Sequence, residues 1–124
     1  MQNLDISENY IVSLDKTSLS DLGAISLVQL NASRNVISYI DEEAFVGQRK
    51  LYIVDLSNNR LGFIEPKTFI RNPSLEILSL SSNQYLTLPE DGPFLVSKFL
   101  RVLKLEDCNP YYLPPATFQR LPRL

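Results

Sequence analysis

A chain of 124 residues, 44% hydrophobic and 21% charged, is long enough for one domain with a modest core and too apolar to stay disordered. Its net charge of −2 gives no electrostatic drive toward nucleic acid or an anionic membrane, and no stretch approaches the roughly 18 uninterrupted apolar residues of a membrane span. A single cysteine excludes an intrachain disulfide, and the lack of any histidine removes the commonest general acid–base group and metal ligand.

In chain order, the first recurring element opens at residue 1 as Met1-x-x-Leu4-x-Ile6-x-x-Asn9. The stretch Met1 to Asp15 carries acids and no apolar block, so it is not a secretory signal, and a secreted protein would carry its signal elsewhere. Leu14 and Leu19 follow. The second copy, Leu27-x-x-Leu30-x-Ala32-x-x-Asn35, leads to Ile40 and Phe45. The third, Leu51-x-x-Val54-x-Leu56-x-x-Asn59, leads to Ile64 and Phe69. The fourth, Leu75-x-x-Leu78-x-Leu80-x-x-Asn83, leads to Leu88 and Phe94. The fifth, Leu100-x-x-Leu103-x-Leu105-x-x-Cys108, leads to Leu113 and Phe118, and Leu124 opens a sixth. Starts at 1, 27, 51, 75, 100 and 124 give periods of 26, 24, 24, 25 and 24. The two extra residues of the first repeat are placed in Ser20–Ser26 and the one extra residue of the fourth in Pro89–Pro93, both in the second half of a repeat.

Alternation at Leu4 and Ile6, and at their equivalents, has a period of two, which makes each copy a short strand with those side chains inward. Repetition at a fixed period stacks the strands in parallel, about 4.8 Å apart. The other half of each coil is too short for a full helix and is expected to return through turns, extended pieces and short 3₁₀ segments. The asparagines fall where the chain turns inward and would bury backbone donors and acceptors unpaired. A carboxamide both donates and accepts, so a stacked column of them can satisfy neighbouring turns. Cys108 takes the last such place, as a structural residue with only a weak donor to offer.

With these positions repeated, the sequence resembles the leucine-rich-repeat family across its whole length, in the roughly 24-residue form with a phenylalanine spine. It is similar to Toll-like receptor ectodomains and to arthropod adhesion proteins related to chaoptin and connectin. The resemblance implies an α/β solenoid, a curved right-handed horseshoe arc with a short parallel sheet on its concave face and mostly turns and 3₁₀ segments on its convex face. It also implies a single domain over residues 1–124 with five repeats. Extracellular relatives carry cysteine clusters as terminal caps, and none is present. The expectation is a piece of a longer protein whose bare ends promote self-association.

Side chains at the third, fifth and seventh places of each strand would point out of the concave sheet. There, Ile53, Ile77 and Val102, beside Tyr52, form an apolar strip edged by Asp55, Ser79 and Lys104. Two readings stand: the strip contacts a protein partner, or it simply covers the sheet. A second strip, Tyr39, Phe63 and Tyr112 with Tyr111 alongside, either anchors a partner or closes the core edge by stacking. The serine column Ser7, Ser33, Ser57 and Ser81 reads as repeat consensus. Asn31-Ala32-Ser33 is the usable glycosylation sequon, since Asn72-Pro73-Ser74 is blocked by proline.

No catalytic constellation, metal site, cofactor site or phosphate-cradling loop is expected. Asp5 and Asp55 share a column two strands apart, and Asp41-Glu42-Glu43 reads as a solvated loop. Lys98, Arg101 and Lys104 make a small basic patch, too weak to imply nucleic acid. The expected function is recognition: a protein or glycan ligand, or a co-receptor, bound on the concave face of an extracellular or cell-surface protein. An intracellular scaffold of the same fold, located in the cytoplasm, and a spacer or dimerisation segment are the alternatives.

Overall fold

Residues two apart share a face of a strand, and in every coil that face is apolar: Leu4 and Ile6, Leu30 and Ala32, Val54 and Leu56, Leu78 and Leu80. The computed structural model describes residues 2–108 and 113–124. It contains β1 (Asn3–Asp5), β2 (Ser13–Leu14), one helical turn α1 (Ser18–Asp21), β3 (Gln29–Asn31), β4 (Tyr39–Ile40), β5 (Ile53–Asp55), β6 (Ile77–Ser79) and β7 (Val102–Lys104). Strands β1, β3, β5, β6 and β7 form one parallel sheet in that order. Leu4, Leu30, Val54, Leu78 and Leu103 pair in one row, so the coils stack in register as the repeat requires. The molecule is a parallel-strand solenoid.

Inside the coils, Leu30, Val54 and Leu78 are buried, as are Phe45, Phe69 and Phe94 on the return side. The rings of Phe45 and Phe69 stack with centroids 5.0 Å apart and planes 24° apart. Such a pair adds about 0.5–1.5 kcal/mol beyond its buried area. Two expected core positions are not core. Leu113 is 55% exposed and Phe118 37% exposed, because both lie in the outermost coil with neighbours on one side only.

The return half is built of turns closed by isolated i→i+3 bonds, such as the Ala44 N–H to the Asp41 carbonyl at 2.9 Å and the Asn72 N–H to the Phe69 carbonyl at 3.1 Å. These bonds do not run on into a 3₁₀ helix among the described residues. A second, two-stranded parallel sheet, β2 with β4, was not foreseen. The first insertion is absorbed by α1 and its stop. Gly23 takes φ +76°, its N–H donates to the Ser20 carbonyl, and the Ala24 N–H reaches back to the Leu19 carbonyl. That pair of bonds ends a helix on a left-handed residue, for which glycine carries no Cβ penalty, and it turns Ala24 back onto buried Leu19.

The single extra residue of the fourth repeat falls at Gln84–Tyr85, not in Pro89–Pro93. In the earlier coils the residue two places after the asparagine packs inward: Ile11, Ile37 and Leu61. In the fourth, Tyr85 is 70% exposed and Leu86 is buried in its stead. The Thr87 N–H then bonds the Gly62 carbonyl at 2.9 Å, one residue later than Ser38 bonds Val12 in the coils before. The chain bulges at the turn and resumes its register.

Candidate binding surface

The inward turn after each strand is held by the asparagine column. Asn59 donates from Nδ2 to the carbonyls of Ala32 (3.0 Å), Leu56 and Ser57, and its Oδ1 accepts from the Ile37 N–H at 3.0 Å. Asn35 and Asn83 repeat these bonds one coil away on either side. Just before each column residue the backbone is left-handed: Glu8, Arg34, Asn58, Ser82 and Asp107 have φ between 52° and 58°. In that conformation the first four donate their N–H to the Ser33, Ser57, Ser81 and Glu106 carbonyls of the next coil. Sequence reasoning missed this row, because glycine, the usual marker of positive φ, is absent from it.

The fifth and seventh strand places are tied to each other. Ser57 donates both its N–H (2.9 Å) and its hydroxyl (2.6 Å) to Asp55 Oδ1. Ser33 does the same to Asn31, and Ser7 to Asp5. The side-chain bond from Ser7, then its backbone N–H, hold the Asp5 carboxyl below its ordinary range. The serine column is therefore a closure of the turn, and Asp55 offers a partner only its second oxygen.

The third row is left uncovered. Ile53 pairs with Ile77 and Ile77 with Val102 in adjacent strands, the two isoleucines half-buried and Val102 more exposed. Tyr52 lies half-buried before Ile53, and its carbonyl accepts from the Glu76 and Ile77 N–H groups, which fixes this edge of the sheet. Ser79 is half-buried and Lys104 exposed on the same face. Seven of the concave candidates are thus brought together on β5, β6, β7 and their approach: Tyr52, Ile53, Asp55, Ile77, Ser79, Val102 and Lys104. Over β1 and β3 the same face is polar, and a shallow hollow of about 390 Å3 runs from there onto β5, lined by Asn3, Asp5, Gln29, Asn31, Ile53 and Asp55.

The second strip is only partly described. Tyr39 is 54% exposed and Phe63 49% exposed, and neither stacks on a ring among the described residues. The nearby Asp41 charge raises the Tyr39 phenol above its ordinary value, with Asp15 and Glu65 adding to it. Tyr111 and Tyr112 lie outside the described residues. Tyr85, exposed by the bulge, was missed. Its signal was in the spacing, since Leu86 stands three places after its asparagine where the first three repeats place their apolar residue at two.

Cys108 is half-buried in the outer coil, with its Sγ bonded to the Leu80 carbonyl. No three acidic or thiol side chains converge on a point among the described residues. Among the described residues, no helix is long and apolar enough to cross a membrane.

A family model described as leucine rich repeat matches residues 49–94, which hold β5, β6 and the return halves around them. No curated protein matches the chain. The match supports the leucine-rich-repeat family, whose repeats are typically non-catalytic protein-interaction modules, and so supports a protein-binding repeat module.

Proposed function

We propose that this chain is the recognition segment of a cell-surface or secreted protein, and that its uncovered sheet docks a protein ligand or co-receptor. One observation carries the reading: Ile53, Ile77 and Val102 stand side by side on adjacent strands, and none of the three is buried among the described residues. An apolar row edged by Asp55, Ser79 and Lys104 has the anatomy of an interface core with its rim. Exposed Tyr39 and Phe63 extend the surface toward the outer edge, where tyrosine and phenylalanine serve as rigid anchors. The resemblance to extracellular repeat proteins and the sequon at Asn31 support a secreted setting.

Asn31 belongs to the polar end of the sheet, and its Oδ1 is held by Ser33. A glycan on its Nδ2 would cover the first strands and leave the apolar end of the sheet to the partner.

The test is the double substitution Ile53→Glu/Ile77→Glu in the chain as secreted from cultured cells, with the circular dichroism spectrum as a check on the fold. Labelled wild-type chain should bind intact cells saturably, and the folded variant should bind at least tenfold more weakly. Equal binding by the folded variant would remove the concave face from the reading. Loss of mass on glycosidase treatment of the secreted chain, abolished by Asn31→Gln, tests the sequon.

A further inference from the structure

The charges of the return half are biased by flank. Asp15, Asp41 and Glu65 stand at one place in successive coils, on the leg that leaves the sheet. The leg that comes back to the sheet carries Arg49, Lys50, Arg71, Lys98, Arg101 and Arg123, all exposed, against the two acids Asp21 and Glu76. A net charge of −2 conceals this division.

On the basic leg the coils leave an open groove of about 490 Å3 beside the sheet. Lys50, Tyr52, Glu76, Phe99, Arg101 and Arg123 line it. Glu76 is held by Arg101 at 3.2 Å, which leaves the groove two cations without a carboxylate among the described residues, Lys50 and Arg123. The Arg123 guanidinium lies over the Phe99 ring, 5.1 Å from its centroid. That contact orients the cation without neutralising it. The groove is continuous with the apolar row: Tyr52 precedes Ile53, Glu76 precedes Ile77 and Arg101 precedes Val102 in the chain.

We infer that this groove receives an extended acidic segment of the protein partner, with apolar side chains between its carboxylates. The inference rests on the recognition reading above and names the partner's chemistry. Lys50 and Arg123 occupy the same place in coils three steps apart, about 14 Å by strand spacing. An extended peptide advances about 3.3 Å per residue, so four or five residues bridge the two cations. Tyr52 and Phe99 give the intervening side chains an apolar floor. Glu76, in the middle of the groove, opposes a ligand with charge at every unit, which disfavours a sulfated glycan or a phosphodiester strand. A peptide can place an uncharged residue there.

The experiment uses the whole chain and the labelled hexapeptide Glu-Glu-Leu-Phe-Glu-Glu, followed by fluorescence anisotropy at low and physiological salt. Binding should weaken with salt, as an exposed charge pairing does. Lys50→Glu/Arg123→Glu should weaken it tenfold or more, while Lys67→Glu on the acidic leg should change it less than twofold. Ile53→Glu/Ile77→Glu separates the two proposals: peptide binding that survives it but is lost in the flank variant supports the groove whatever becomes of the sheet face. Peptide binding indifferent to Lys50 and Arg123 overturns the groove and leaves the sheet face standing. Absence of peptide binding, or preferential binding of a heparin hexasaccharide or hexauridylate through those same two residues, overturns it as well.

Discussion

Cys108 donates its thiol to the Leu80 carbonyl across 3.2 Å, one coil on from where Asn83 donates its amide to Leu56 across 3.0 Å. The thiol has no carboxamide oxygen to offer the coil behind. In that coil the Leu86 N–H turns instead to the carbonyl of its own Asn83, at 3.1 Å. The bulge at Tyr85 and the loss of the asparagine thus occur at one turn, and each makes the other tolerable. Replacing Asn83 by alanine would leave the Leu56 and Leu80 carbonyls and the Leu61 N–H short of a buried partner. Urea unfolding should show a loss of about 2–4 kcal/mol for Asn83→Ala against about 1 kcal/mol for Cys108→Ala. Equal losses would mean that the column is not what holds the turns.

Cys108 also sets a pH dependence. Burial, the largest cause, pushes its thiol above the ordinary 9.0, and the Asp107 charge adds to this while hydrogen bonds at Asn83 and Ser82 oppose it. The folded chain therefore holds the proton more tightly than the unfolded chain. The resulting stability is complete below the ordinary value and is lost as pH rises through the raised one. Melting curves of wild type and Cys108→Ser should converge as pH increases beyond 9. Iodoacetamide should alkylate the folded chain more slowly than free cysteine at pH 8, because the thiolate is the reacting form.

The phenylalanine positions are unequal. Phe69 is enclosed and stacked on Phe45, whereas Phe118 keeps over a third of its surface in solvent. Phe69→Ala should cost about 3–5 kcal/mol, the usual range for truncating an enclosed ring. Phe118→Ala should cost less than half as much by the same denaturation measurement.

The left-handed row is a reservoir of strain. An ordinary L-residue at positive φ costs roughly 1–2 kcal/mol, and Arg34 is one, with φ 56°. Arg34→Gly removes that strain at an unfolded-state cost of about 0.5–1 kcal/mol, so the melting temperature should hold or rise. Arg34→Val, branched at Cβ, should lower stability by more than about 1 kcal/mol. A valine variant as stable as wild type would show that this turn opens in solution.

Repeat spacing alone determined the stacking of the coils, the strand positions, the inward rows and the structural place of Cys108. Each of these follows from a period, and a period survives in one dimension because every coil meets the same neighbours. The Ile53–Ile77–Val102 row was legible for the same reason. Tertiary structure decided what depends on position within the stack. Leu113 and Phe118 keep the spacing of core residues and lose their cover in the outer coil. The extra residue of the fourth repeat settles at Tyr85, since burying Leu86 and closing a turn on Asn83 outweighs keeping the spacing after the asparagine. The left-handed row and the flank-biased charges were illegible because side-chain type does not report backbone dihedrals away from glycine. Net charge, likewise, does not report direction. Only the folding of each coil back on itself gathers Asp15, Asp41 and Glu65 on one flank and Lys50, Arg101 and Arg123 on the other.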